Sequence, residues 1–332
     1  MRVCVFGAGA VGGHLAAKLA AAGHDVSVVA RGANLAAIRK DGIALREGAH
    51  AAARTIGGRV HASDRSADLG AQDFVFVTTK ATALAAFAAA AAPLCDSNTA
   101  FVFVQNGIPW WYAQGLATAR PQPPDLSRLD PGGALAHAIA PERVIGGVVY
   151  SSNKLVEPGV VVNYSEGRNM LVVGETDDSP SERIAALRAL LNAADMHSPA
   201  TSDIRQSVWD KLIVNFGSTL CVPIGEPIRA LLEDPALRAV RERLFAEGRA
   251  MAKAHGVPPE GAAKRPGGAS GLTDHKPSML QDYELGRPME VDAILAVPCA
   301  FARAAGVPVP ALEALTAVTA RLAARKGLYS PP

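Results

Sequence analysis

The sequence has 332 residues, 49% hydrophobic and 19% charged, which suggests two globular domains and is too apolar for a disordered chain. Thirty-three lysines and arginines against 31 acids leave a formal net charge of +2, without the basic surplus of a dedicated nucleic-acid binder. Cys4, Cys95, Cys221 and Cys299 are widely separated, so neither a zinc site nor a disulfide framework is expected, and a reducing cytoplasm is the simplest compartment.

The chain opens with Met1-Arg2, then Val3-Cys4-Val5-Phe6 and Gly7. That apolar run is too short for a signal peptide. The most apolar stretch, Ala83 to Leu94, falls well short of the roughly 20 residues a membrane span needs. Arg2–Phe6 reads as a strand and Val11–Ala22 as a helix. Val26–Ala30 reads as a strand and Asn34–Lys40 as a short helix. Phe74–Val77 follows as a strand, Ala81–Ala92 as a helix, and Ala100–Val104 and Val144–Tyr150 as strands. Strands alternating with helices predict an α/β domain with a doubly wound parallel sheet. Val160–Asn163 and Met170–Val173, flanking a turn-rich stretch, predict a hairpin on that sheet. Between Gly115 and Ala136, four prolines and several glycines predict a mobile surface insertion. Trp110, Trp111 and Tyr112, just before it, read as packing residues.

Ser181–Ala193 reads as a helix. Strand signals then vanish. Ser202–Leu220, Pro235–Ala254, Pro277–Leu285, Asp292–Ala305 and Pro310–Ala324 all read as helices. The change of pattern places a boundary near residue 200, giving domains 1–200 and 201–332. Gly261–Gly271 is expected to be a flexible loop, and no fixed-period repeat is present.

Gly7-Ala8-Gly9-Ala10-Val11-Gly12 fits GxGxxG between a predicted strand and a predicted helix. In that context the motif is a dinucleotide-binding fingerprint of the Rossmann type. Gly7 permits the tight turn, Gly9 lets a pyrophosphate approach, and Gly12 lets helix and strand pack closely. The helix start at Ala10 and Val11 offers free N–H groups to the phosphates. An NAD enzyme usually carries an acid at the end of the second strand. Here the nearest acid, Asp25, precedes that strand, and Ala30-Arg31 stand at its end. An arginine there can pair a 2′-phosphate in a fork, so NADPH/NADP+ is the expected cofactor. Lys80 follows the third clear strand, and Gln105-Asn106-Gly107 ends the fourth, so Lys80 and Asn106 would line the same cleft.

In the helical half, Lys211, Asn215 and Thr219 are spaced four apart and share one face. The pattern alone equally accommodates a lysine that snorkels to water. A second cluster comprises His275, Ser278 and Asp282, followed by Glu290 and Asp292. On pattern alone it also reads as a helix start followed by a capped turn.

Together, Gly7–Gly12, Arg31, Thr79-Lys80, Gln105-Asn106-Gly107, Lys211 with Asn215, Ser278–Asp282 and Glu290 resemble the ketopantoate reductases over nearly the whole chain. The resemblance implies a Rossmann-type domain followed by an all-helical domain, with the active site in the cleft between them. It implies reduction of 2-dehydropantoate to pantoate, with Lys211 as the catalytic lysine and Glu290 as its acidic partner. Asn215 and Ser278 would contact substrate and Asp282 would support the site. The family's second asparagine on the lysine helix appears here as Thr219, and another appears as His275, so both are candidate substrate contacts that keep other 2-oxo acids open. A lysine ammonium is charged at neutral pH and can stabilise and protonate a developing alkoxide. A related opine-type dehydrogenase and an NADPH-binding sensor are the competing readings. The resemblance leaves monomer and homodimer open.

Overall fold

The structure is a computed structural model. It describes residues 1–48, 54–165, 167–257, 274 and 276–330, so the Gly261–Gly271 loop and His275 lie outside the described residues. The chain divides into two compact units. The first comprises Met1–Gln105 and Asp130–Ile204, and the second Asn106–Leu129 and Arg205–Pro332. The sequence reading left 106–129 with the first half of the chain; in the structure this segment packs into the second unit.

The first unit holds β1 (Arg2–Phe6), α1 (Ala10–Ala21), β2 (Asp25–Val29), α2 (Gly32–Asp41), β3 (Ile43–Glu47), β4 (Arg54–Gly58) and β5 (His61–Ser63). It continues with β6 (Phe74–Val77), α3 (Leu84–Ala88), β7 (Ala100–Phe103), α4 (Ala134–Ala138) and β8 (Val144–Tyr150). β9 (Asn153–Glu157), β10 (Val160–Asn163), β11 (Met170–Glu175) and α5 (Glu182–Ala193) complete it. Among the described residues, seven strands form one sheet in the order β11-β8-β7-β6-β1-β2-β5. Every neighbour in it is parallel except β11 on β8. The order runs outward from β1 in one direction and from β6 in the other, so a topological switch point lies between these two strands.

The sheet is apolar on both faces. Val3, Val5, Phe76 and Val102 join the core shared with α1 and α5. On the other face Phe87 of α3 meets Phe6, Phe101 and Phe103 edge-on at centroid distances of 4.9, 5.6 and 5.8 Å. The single helix predicted over Ala81–Ala92 is broken into a 3₁₀ turn at Ala81–Ala83, α3, and a second 3₁₀ turn at Ala92–Leu94. Pro93 has no N–H to continue a helix, and the alanines around it offer little to bury. Ser181 caps α5, its Oγ accepting the Ile184 N–H at 3.2 Å.

The predicted hairpin of Val160–Asn163 with Met170–Val173 is not formed. β11 pairs with β8 in the large sheet, whereas β10 pairs with β3 and β9 in a second sheet of order β4-β3-β10-β9. This second sheet covers the side of α1 that would otherwise face water, so residues Gly12 to Leu19 are all buried. A helix covered all round must be apolar or internally paired, and the alanines and glycines of α1 meet that need. At Gly13 any Cβ would stand 2.7 Å from Val161 Cγ2, so glycine sets the distance between helix and second sheet.

Two polar residues of α1 are buried with it. Lys18 pairs with the buried Glu47 of β3 and with the exposed Asp195. His14, one turn earlier, has no hydrogen-bond partner on either ring nitrogen among the described residues. Burial, assisted by the charge of Lys18 and opposed by that of Asp195, pushes its imidazole down to about 3. The folded protein therefore holds His14 neutral, while the unfolded chain takes up a proton below its ordinary value.

The second unit adds α6 (Ile204–Thr219), whose first residue still belongs to the first unit, then α7 (Cys221–Ile224), α8 (Ile228–Glu233), α9 (Pro235–Ala254) and α10 (Ser278–Glu284). A π-helical turn at Asp292–Ala296, α11 (Val297–Ala304) and α12 (Pro310–Arg325) follow. Its core centres on Trp209, Phe301 and His255. The ring of Phe301 lies edge-on to both others, at 5.6 and 4.8 Å. No described helix is long and apolar enough to cross a membrane.

Stability should fall as pH drops from about 6.5 toward 3, at up to about 1.4 kcal/mol per pH unit from His14 alone. Urea unfolding at pH 8 and pH 5 should show His14→Leu losing about 2 kcal/mol less than the parent chain. Equal losses would mean that His14 is already solvated in the folded state.

Candidate functional site

The glycine turn leaves β1 at the switch point, and each glycine has a different physical reason to be there. Gly7 has φ +109°, and a Cβ on it would lie 2.8 Å from Thr79 Cγ2. A Cβ on Gly12 would overlap the Gly7 carbonyl oxygen and Thr78 Oγ1. Gly9 is exposed, with nothing within 4 Å of where a Cβ would be. The turn is thus closed on its inner side and open at Gly9, beside the first turn of α1 at Ala10 and Val11. That arrangement fits a dinucleotide pyrophosphate, which needs close backbone approach and free helix N–H groups.

Thr78 and Asn34, which the sequence reading did not single out as site residues, hold this turn, and Gln105 braces the strand exits beside it. Thr78 Oγ1 donates to Gly7 O at 2.7 Å. Asn34 donates to Ala8 O and accepts from Gly159 N–H, both at 2.7 Å. Gln105 Nε2 donates to Val77 O at 2.7 Å and Thr79 O at 3.0 Å, tying the exits of β7 and β6 together. No local sequence signal marks these roles, because each partner lies 26 or more positions away.

At the carboxyl end of β2, Arg31 is exposed and stands as the N-cap residue of α2. Asp25 opens β2 opposite Arg2, at the amino end of the strands. Asp25 and Arg31 therefore stand at opposite ends of β2. Lys80 is half-buried just beyond β6.

In the second unit, α6 presents Lys211 and Asn215 half-buried on one face. Thr219 is placed differently from an open substrate contact. It is only 2% exposed, its Oγ1 donates back to Asn215 O at 2.7 Å, and Met279 Sδ lies 3.5 Å away. That contact brings α10 against α6. On α10, Ser278 is exposed in the first turn and Asp282 is buried beside Arg287 at 3.2 Å. Glu290, between α10 and the π turn, is also buried.

Asn106 is brought to the π turn by its neighbours. Within that turn the Val297 N–H reaches Asp292 O, and Pro298 has no N–H to give. Ala293 O is thereby left without a helical donor, and Ile108 N–H supplies one at 2.8 Å. Gly107 has φ +83°, and a Cβ there would overlap the Ala293 carbonyl. Only glycine allows this docking. The segment is anchored again by Arg205, which is 0% exposed. Its guanidinium donates to Tyr112 O at 2.8 and 3.0 Å and to Gln114 O at 2.5 Å, and lies over the rings of Trp111 and Tyr112. Trp209 Nε1 donates to Tyr112 Oη at 2.7 Å. Trp110, Trp111 and Tyr112, read from the sequence as packing residues just before the proline-rich stretch, are indeed buried.

Two family models match the chain. The ketopantoate reductase PanE/ApbA model covers residues 3–124, and the ketopantoate reductase PanE/ApbA C-terminal model covers 203–323. A 2-dehydropantoate 2-reductase of Mesorhizobium japonicum is 38% identical over 99% of this chain and 100% of its own length. The chain belongs to the ketopantoate reductase family. Ketopantoate reductases are oxidoreductases that act on CH–OH groups and use a nicotinamide cofactor. A crystal structure from Ralstonia solanacearum MolK2, assigned as a ketopantoate reductase, is 34% identical over 99% of each chain with a TM-score of 0.86. A D-mandelate dehydrogenase solved with NADH and anilino(oxo)acetate shares the fold at a TM-score of 0.81 and 17% identity, covering 99% of this chain and 100% of its own.

Replacing Arg205 with Met should lower the unfolding free energy of this ketopantoate reductase family member by about 2–4 kcal/mol, since buried carbonyls lose their donors. Chemical denaturation checks this. A loss under about 0.5 kcal/mol would show that the 106–129 segment is held by its aromatics alone.

Proposed function

We propose that the protein reduces a 2-oxo acid to a 2-hydroxy acid with NADPH, with 2-dehydropantoate as the substrate and pantoate as the product. The observation that carries the cofactor assignment is the exposed Arg31 at the carboxyl end of β2, with Asp25 at the other end of that strand, beside an open glycine turn. Gly7, Gly9, Ala10, Val11 and Gly12 would hold the pyrophosphate and Arg31 the 2′-phosphate, with Lys80 and Asn106 lining the cofactor and substrate cleft.

When bound, the dinucleotide would supply the hydride that the ketone carbon receives. The Lys211 ammonium stabilises the charge that grows on the carbonyl oxygen and gives that oxygen its proton. Glu290, buried and acidic, orients Lys211 or accepts from a substrate hydroxyl. Asn215 and Ser278 contact the substrate, and Asp282 supports the site by holding the end of α10 through Arg287.

One observation favours a second reading of the substrate. Thr219 Oγ1 is committed to Asn215 O and packed against Met279, so this position offers substrate no free hydroxyl. A 2-oxo acid with fewer polar groups than 2-dehydropantoate suits such a pocket better.

NADPH oxidation with 2-dehydropantoate beside a panel of other 2-oxo acids tests the proposal. Clear preference for 2-dehydropantoate supports the first reading, and turnover of a less polar 2-oxo acid alone supports the second. Arg31→Ala should weaken NADPH binding by about 10–100-fold, the worth of one or two charge-assisted hydrogen bonds, and NADH binding by under twofold. Equal weakening of both would remove the specificity argument. Lys211→Ala should lower kcat by about 10²–10⁴-fold with little change in the NADPH Kd. Retention of turnover by that variant would take the proton donor elsewhere.

A further inference from the structure

Glu290 sits in a segment held on both sides by parts of the chain far from it in sequence. On one side Met289 N–H donates to Leu328 O at 2.9 Å, within the C-terminal tail. On the other, Asp292 Oδ1 accepts from Tyr329 Oη at 2.8 Å and pairs with Arg128. Arg128 Nη2 also donates to the Tyr329 oxygen at 2.8 Å. Arg128 ends the proline-rich part of the segment that begins at Asn106, and all three side chains belong to the second unit. The cluster is half-buried, so its ion pair is partly screened and contributes modestly to stability. Its geometric effect is larger. Asp292 opens the π turn, whose Ile294 N–H bonds to Glu290 O at 3.1 Å and whose Ala293 O takes the Ile108 N–H. One carboxylate therefore ties down the turn that follows Glu290, is bonded to its carbonyl and carries the docking point of Ile108.

We propose that Arg128 and Tyr329 are positioning residues for Glu290, so that the proline-rich segment and the C-terminal tail act as a two-sided clamp on the catalytic carboxylate. The inference rests on the reading of Glu290 given above. It assigns the segment around 115–129 a task in turnover, through Asp292, with no contact to substrate or cofactor required of it.

The test compares full-length Arg128→Met, Tyr329→Phe, Asp292→Ala, Asp292→Asn and Glu290→Gln. For each it measures kcat with 2-dehydropantoate, or with whichever 2-oxo acid of the panel is turned over, the NADPH Kd by fluorescence titration, and Tm. Arg128→Met and Tyr329→Phe should each lower kcat about tenfold, as expected for a small misplacement of a reacting group, with NADPH Kd within twofold. Asp292→Asn keeps an acceptor at Oδ1 and should recover several-fold in kcat over Asp292→Ala. A merely structural staple would move Tm without splitting kcat from Kd in this way. Tyr329→Phe removes one oxygen and keeps the ring, so it reports even where Arg128→Met folds poorly. Full turnover in Tyr329→Phe and Arg128→Met while Glu290→Gln is slow would overturn the clamp and spare the catalytic reading. Loss that disappears once rates are normalised to folded protein would overturn it as well. Full turnover in Glu290→Gln would overturn the reading of Glu290, and the clamp with it.

Discussion

No side chain fits at position 12. A Cβ there would collide with the carbonyl of Gly7 and the hydroxyl of Thr78, so the first strand, the turn and the first helix can approach only as they do with hydrogen on that carbon. Much follows from this closeness. The helix is drawn down on the large sheet, and its far side then needs a cover, which the small sheet β4-β3-β10-β9 provides. Coverage on both sides forces the helix to be small and apolar. It also makes its two large polar residues, His14 and Lys18, problems that burial of a neutral ring and an ion pair with Glu47 resolve.

The second unit depends on a different kind of vacancy, a backbone carbonyl without a donor. Val297 N–H turns to Asp292 O in the π turn, Pro298 has no N–H to give Ala293 O in that pattern, and Ala293 O accepts instead from Ile108. A proline that would ordinarily kink a helix thus creates the docking point for a segment almost two hundred positions away. Gly107 is needed at that point for the same reason that Gly12 is needed at the first: backbone meets backbone.

How much of this is legible in the sequence depends on the range of the physics. The parallel strands Arg2–Phe6 and Phe74–Val77 and the long helix Pro235–Ala254 follow from local apolar pattern and stand where that pattern puts them. The glycines of the turn are legible because their demands are local. The small sheet is not, since β3 and β9 are short, partly charged strands that gain their stability from covering α1. The hairpin expectation failed because neighbours in sequence, β10 and β11, found better partners in different sheets. Thr78 and Asn34 carry no motif of their own, and the motif that contains Gln105 does not show that its amide braces two strand exits; these roles exist only once distant carbonyls arrive. Thr219 shows the same limit in reverse, because spacing places it on the lysine face but not whether its hydroxyl turns outward or back to its own helix.

The path of the chain between its two units has a consequence for how the molecule is made. The polypeptide leaves the strand-rich unit after Gln105, returns at Asp130 and leaves again after Ile204. Trp111 and Tyr112 emerge from the ribosome some 93 residues ahead of Arg205, which buries them. Strands β8 and β11 are synthesised in the interval and can complete the large sheet while the aromatic segment is still waiting. Until Arg205, Trp209 and the helices after them are made, the Trp-Trp-Tyr run lacks the partners that bury it in the folded protein.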